Sequence, residues 1–292
     1  MTSGLDLAAE RFTEQRRRLF GIAYRMLGTV ADAEDVLQDA WIRWQTADRS
    51  QIREPAAFLT TITTRLSINA LQSARVRRET YIGPWLPEPV NIEDDPGLGA
   101  ERAESIEYAV LILLEKLTPT ERAAYVLREA LDYPYERIAE IVQTTPVAAR
   151  QLVSRARKHL GSSRHATTDA ATHRRLLEAF LAAAQRGETE QLEALFTDDV
   201  ISYTDGNGVK LAARIPVPGR TRVANFVAAF SSHFWRGKAI EWVTVNGLPA
   251  VALVERGVVT TVLTAVVDAD GIRRLLWIMS PDKLHHVVPA GA

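Results

Sequence analysis

Residues 117–160 read LTPTERAAYVLREALDYPYERIAEIVQTTPVAARQLVSRARKHL, and this stretch decides how the first half of the chain folds. Thr118 or Thr120 can cap a helix whose first turn holds Glu121. Pro134 opens a short helix carrying Ile138, Ala139, Ile141 and Val142. Gln143-Thr144-Thr145 supplies the turn, and Thr145 can cap a second helix begun by Pro146. On that helix Ala149, Val153, Ala156 and Leu160 share one face. The opposite face holds Val147, Gln151, Ser154 and Lys158, flanked by Arg150 and Arg155. Four Lys/Arg and no acid fall between 145 and 160. A tight turn followed by a helix with small core residues and a basic outer face suits a recognition helix in a DNA major groove. Arg and Gln can address base edges there, while Arg and Lys neutralise phosphate. Two packed helices with a solvated basic face would give the same pattern.

The surrounding chain has 292 residues, enough for two or three small domains. Hydrophobic residues make up 47% and charged residues 24%, which excludes a disordered chain. There is no cysteine, which excludes disulfides, thiolate metal sites and a cysteine nucleophile. No uncharged apolar run approaches the roughly 20 residues of a membrane span. The charged N-terminus, MTSGLDLAAERFTEQRRRLF, lacks the apolar run of a secretory signal. The expectation is a cytoplasmic protein with no membrane partner.

Residues 1–162 have helical spacing, as at Ala33, Val36, Leu37, Ala40, Trp41 and Trp44. Pro55 suits the first turn of a helix running to about Arg78. Residues 81–100, YIGPWLPEPVNIEDDPGLGA, carry four prolines and three glycines and cannot be a helix or a central strand. Tyr81, Ile82, Trp85 and Leu86 are large apolar groups that a plain linker would expose, so this segment is expected to lie in a groove. A helix is expected over Ala170 to Arg186. Beyond it the texture turns to β-branched runs broken at Asn246-Gly247, Arg256-Gly257 and Asp270-Gly271, the pattern of strands in hairpins. The C-terminal part is expected to be α+β, with helices on a curved antiparallel sheet.

Leu19–Trp44, LFGIAYRMLGTVADAEDVLQDAWIRW, resembles region 2 of an RNA polymerase sigma factor, and the helix-turn-helix ending in SRAR resembles region 4. Their order is that of the extracytoplasmic-function (ECF) type. YIGPWLPEP resembles the linker of an ECF subgroup with a fused C-terminal SnoaL-like domain of NTF2-like fold. Asp205-Gly-Asn-Gly-Val-Lys210 resembles that subgroup's DGGGK motif, with Asn207 for Gly and an extra Val. Ser280-Pro-Asp-Lys-Leu284 resembles its NPDKL motif.

The resemblance implies two all-α sigma domains followed by an α+β cone. Its segments would be 1–80 (region 2), 81–105 (linker), 106–162 (region 4) and 163–292 (SnoaL-like). Asp35 and Gln38 would dock on core RNA polymerase. Arg65, Asn69, Arg75, Arg77 and Arg78 would approach the −10 promoter element, although Asn69 stands where many members have an acid and Gln72 where they have a base. Val147, Arg150, Gln151, Ser154, Arg155 and Lys158 would read the −35 element. Asp205, Gly206, Gly208, Lys210, Pro281, Asp282, Lys283 and Leu284 would regulate. The acidic run Glu93, Asp94 and Asp95 would suit a basic channel in the polymerase.

The expected partners are core polymerase and promoter DNA, with room for a small ligand in the C-terminal cavity. No cofactor, metal or catalytic residue is expected. Two alternatives stay open: a SnoaL-type enzyme using a pair such as Asp205 and His233, and a ligand-sensing DNA-binding repressor. Charge bears on the second. The net charge is −1, and residues 1–162 hold 21 bases and 23 acids. Free binding to DNA should therefore be weak, which suits a polymerase subunit better than a free repressor.

Overall fold

The computed structural model describes residues 4–90, 108–161 and 169–287. The run Glu93–Asp95 lies outside the described residues. The chain divides into two compact units, residues 1–80 with 110–164, and residues 81–109 with 165–292.

In the first unit α1 (Gly4–Leu27), α2 (Val30–Thr46) and α3 (Pro55–Glu79) pack together. Gly28, at φ 78°, ends α1. Thr29 then caps α2 by accepting from the Asp32 backbone N–H. The Trp44 indole donates to the Ala8 carbonyl at 2.9 Å, tying the end of α2 to the start of α1. Next come α4 (Tyr108–Leu114), α5 (Pro119–Glu129), α6 (Tyr135–Val142) and α7 (Pro146–Gly161). Thr118 and Glu121 form a reciprocal capping box at the start of α5. A small core of Ala124, Leu127, Ile138, Ile141, Ala149 and Val153 joins α5, α6 and α7.

The second unit carries α8 (Ala170–Arg186), capped by Asp169 and ended by Gly187 in the left-handed region. Then follow α9 (Thr189–Leu195), β1 (Phe196–Asp205), β2 (Val217–Pro218) and α10 (Arg220–Ala229). The remaining strands are β3 (Ala239–Val245), β4 (Leu248–Glu255), β5 (Val258–Asp268) and β6 (Gly271–Ile278). They form one sheet in the order β2-β1-β6-β5-β4-β3. Asn246-Gly247 and Arg256-Gly257 both have positive φ, which matches the twist of two-residue hairpins. Alternation sorts the strands. Val251, Leu253, Leu263, Ala265, Leu275 and Trp277 face the core with α8, α9 and α10. Their buried neighbours Ala252, Val262, Leu276 and Ile278 point the other way.

One expectation is corrected. The sheet is mixed, because β1 runs parallel to β6. Parallel neighbours need a long crossover, and β2, α10 and β3–β5 together provide it. The start of β1 also carries exposed Asp198 and Asp199, which hide a strand whose other positions are mostly buried.

His173 on α8 is buried and bonded through Nε2 to the Ala265 carbonyl at 2.9 Å, while Nδ1 has no partner among the described residues. A carbonyl only accepts, so Nε2 carries the proton and Nδ1 is bare. Burial lowers the pKa of this ring below the ordinary histidine value of 6.5, outweighing the bond to Ala265. The unfolded chain then takes up a proton before the folded one. Stability should be undiminished above pH 6.5 and fall below it, by at most about 1.4 kcal/mol per pH unit from this site. Urea melts of the full chain at pH 7.5 and 5.5 check this, and His173→Gln should remove part of the difference.

Candidate functional site

The helix-turn-helix is built by local bonds. Gln143 closes α6 in the left-handed conformation (φ 57°), and its N–H bonds the Ala139 carbonyl. The Thr144 N–H bonds the same carbonyl at 2.8 Å. Thr145 accepts from the Ala148 N–H at 3.2 Å and so caps α7. Ala149, Val153, Ala156 and Leu160 are buried beneath α7. Val147, Arg150, Gln151, Ser154, Arg155 and Lys158 are all exposed on its outer side, Val147 by 69%. Two of these side chains are held. The Arg150 guanidinium lies 5.1 Å from the Tyr135 ring centroid. Arg155 Nε donates at 3.0 Å to Glu121, the same carboxylate that closes the α5 capping box.

On α2, Asp35 and Gln38 are exposed, and Ile42, one turn further on, is 50% exposed. Asp35 and Gln38 border a groove of about 420 Å³ between α1 and α2 that includes Phe12, Arg16, Glu34 and Trp41. Ile42 was not among the expected residues. Its signal was an isoleucine three and four positions beyond polar residues on a helix face.

On α3, Asn69 is exposed, and the side chain of Arg77 lies outside the described residues. Arg65, Arg75 and Arg78 are drawn into the helical unit itself. Arg65 donates to the Ile141 and Glu140 carbonyls at 3.0 and 2.9 Å. Arg75 donates to the Leu117 carbonyl, and Arg78 to Glu115.

The second unit gathers its charged site around Asp205, at the end of β1. This carboxylate is fully buried and accepts from the Leu86 N–H at 2.7 Å, from Lys283 Nζ at 2.6 Å and from the Tyr81 hydroxyl. Lys283 also donates to the Leu86 carbonyl at 2.5 Å and lies 4.1 Å from the Trp85 ring centroid. The Asp205 backbone carbonyl accepts from Met279 and Ser280, which hold the 3-10 turn Pro281–Lys283 in place. Burial, with the Asp205 charge second, pushes the Tyr81 pKa far up, so the hydroxyl stays a donor.

Leu86 through Val90 are all buried, and Val90 exchanges hydrogen bonds with Asn246 in the β3–β4 turn. The YIGPWLPEP segment therefore lies against its own chain, as its apolar content demands, although Ile82 stays 48% exposed. Gly206 is fixed by space, since a Cβ there would stand 2.2 Å from the Ala212 Cβ. Gly208 has φ +89°, and Lys210, Pro281 and Asp282 are exposed, while Leu284 is buried. Sequence reasoning missed Asn246 as a linker contact; its asparagine-glycine pair signals only a hairpin.

A cavity beside this network is lined by Thr204, Phe226, Phe230, Phe234, Trp235 and Trp277. It holds about 30 Å³, against roughly 150 Å³ in a cavity that admits benzene. Asp205 is committed to three donors, and His233 is exposed, so the suggested acid/base pair is not assembled. No helix among the described residues is long and apolar enough to cross a membrane.

Residues 12–77 match Sigma-70 region 2, and residues 109–160 match Sigma-70 region 4. The chain is 36% identical to the ECF RNA polymerase sigma factor SigJ of Mycobacterium tuberculosis over 95% of its own length and 93% of that protein's. It is 28% identical to the probable ECF sigma factor SigI of the same species, over 96% and 95% of the two lengths. The crystal structure of SigJ superposes with a TM-score of 0.74 at 32% identity, covering 94% of this chain and 97% of that one.

Removing one partner of a buried ion pair leaves an uncompensated charge and costs about 3–5 kcal/mol. Lys283→Met should therefore destabilise the second unit strongly and loosen the linker. Chemical denaturation of the full chain reads the first effect, and faster proteolysis within residues 81–90 reads the second.

Proposed function

The chain belongs to the ECF family of RNA polymerase sigma factors, and from that premise we propose which of its residues meet polymerase, promoter and linker. It directs promoter-specific transcription initiation. The observation that carries the assignment within the chain is the outer face of α7: six side chains in one exposed array, with four Lys/Arg and no acid from 145 to 160. Val147, Arg150, Gln151, Ser154, Arg155 and Lys158 read the −35 element in the major groove. The Tyr135 ring under Arg150 and the Glu121 carboxylate beside Arg155 hold both guanidinia at set positions before DNA arrives. Such preorganisation lowers the entropy lost on binding.

Asp35, Gln38 and Ile42 form the polymerase-binding strip. The apolar Ile42 supplies contact area, and the two polar groups fix its orientation. Arg65, Asn69, Arg75, Arg77 and Arg78 on α3 approach the −10 element, where melted DNA needs basic groups along its backbone.

The C-terminal α+β domain modulates this activity by holding the linker. Ten residues, 81–90, would span about 30 Å if free and extended. Docked through Asp205, Lys283 and Asn246, they cannot adjust the separation of the region-2 and region-4 parts that they connect in sequence. The domain serves as a clamp rather than a catalyst, because its buried carboxylate is used as a hydrogen-bond acceptor for the linker. The partners are core RNA polymerase and promoter DNA. A ligand in the aromatic cavity would have to enlarge it. We take the working segments as 1–80, 81–105, 106–162 and 163–292.

Transcription with core polymerase on a genomic template tests the whole reading, and failure to initiate at any promoter would overturn it. Arg150→Ala should weaken −35-dependent promoters by about 1–3 kcal/mol, or roughly five- to 150-fold, and spare promoters that do not use that element. Ile42→Asp should weaken capture of core polymerase while leaving the circular dichroism spectrum intact. Truncation before Ser280 removes Lys283 and should change transcript yield. Unchanged yield in that variant would refute the clamp.

A further inference from the structure

The α3 arginines point to a device inside the helical unit. Arg78 and Arg122 divide the Glu115 carboxylate between them, Arg78 on Oε2 and Arg122 on Oε1. The same two guanidinia reach the end of α1, where Arg78 donates to the Leu27 carbonyl and Arg122 to the Met26 carbonyl. Arg75 donates to the Leu117 carbonyl, two residues beyond Glu115 and in the same turn before α5. Half-way along α3, Arg65 caps the last turn of α6 through the Glu140 and Ile141 carbonyls. Arg137 of α6 answers by donating to the Ala57 carbonyl and the Thr61 hydroxyl. The region-2 helix α3 is thus fastened to region-4 elements from Ala57 to Arg78.

These acceptors have a common chemistry. Carbonyls at a helix C-terminus carry partial negative charge, and Glu115 carries a full one. A guanidinium fork bonds either to such oxygens or to phosphate, and cannot serve both with the same N–H groups. We propose that this contact is an internal substitute for promoter DNA, a latch keyed by Glu115 that closes region 2 onto region 4 and occupies Arg65, Arg75 and Arg78. The proposal rests on the reading of α3 as the promoter-facing helix.

The latch is poised to open. Arg122 is 1% exposed, yet its Nε and Nη2 have no hydrogen-bond partner among the described residues. Its charge is therefore only partly compensated, an arrangement that stays costly in a low-dielectric site. Burial lowers the pKa of both Arg75 and Arg78, and the Arg122 charge lowers both further. Crowded cations of this kind are relieved when the helices part and phosphate replaces carbonyl.

Glu115→Gln keeps an acceptor for one arginine and removes the charge that holds both. The chain has no cysteine of its own, so spin labels on cysteines placed at the exposed positions Gln72 and Glu136 report the α3–α6 distance in the full-length protein. In the Glu115→Gln background the distance distribution should gain a longer population. A fluorescein-labelled single-stranded oligonucleotide of mixed sequence should bind about fivefold tighter, because apparent affinity scales with the open fraction. Arg137→Ala, which loosens the other end of α3, should shift both readouts in the same direction and serves where Glu115→Gln does not fold. Unchanged distances in the folded variants overturn the latch and leave the promoter-facing reading of α3 standing. Longer distances without tighter DNA binding overturn the substitution for DNA and that reading with it.

Discussion

A carboxylate withdrawn from water must be neutralised and hydrogen-bonded, and Asp205 meets that requirement with donors from far apart in the chain. The Tyr81 hydroxyl and the Leu86 N–H come from the linker, and Lys283 comes from the C-terminal turn. None of the three contacts is independent. Lys283 is almost as buried as Asp205 and shares its remaining donors with the Leu86 carbonyl. Withdrawing any member strands charge in a low-dielectric site. The linker, the end of β1 and the residues after β6 are consequently ordered together, and the linker peptide is buried as part of the C-terminal domain's own structure.

Arginine plays the corresponding part in the helical unit. The arginines of α3 are long, forked donors, and they find oxygens within the unit. Arg65 takes the end of α6, while Arg75 and Arg78 take the turn before α5. A guanidinium fork, whose geometry suits phosphate, here bonds carbonyls and a carboxylate of its own chain. On α7 the restraint is different. Arg150 and Arg155 are braced by Tyr135 and Glu121 yet remain exposed, so the outer face of α7 is preformed.

Elements that depend on neighbours in sequence were legible without coordinates. The capping box at Thr118 and Glu121, the turn at Gln143–Thr145, the start of α7 at Pro146 and the span of α8 all follow from local hydrogen bonding and helical spacing. The glycine-marked hairpins of the sheet followed for the same reason. Periodicity cannot tell which strand lies beside which, so the parallel pairing of β1 with β6 was not legible. Nor could the acids at the start of β1 reveal a strand, because they sit at positions that face solvent.

The candidate site divides along the same line. The sequence by itself determined the family, the exposed basic face of α7 and the presence of an apolar linker that required cover, since residue type and spacing carry that information. Only the tertiary structure decided where the linker lies, that Asp205 and Lys283 meet across 78 positions, and that Arg65, Arg75 and Arg78 are engaged by region 4. An ion pair or a capped carbonyl is settled by distance and desolvation, and neither is encoded in the order of residues along the chain.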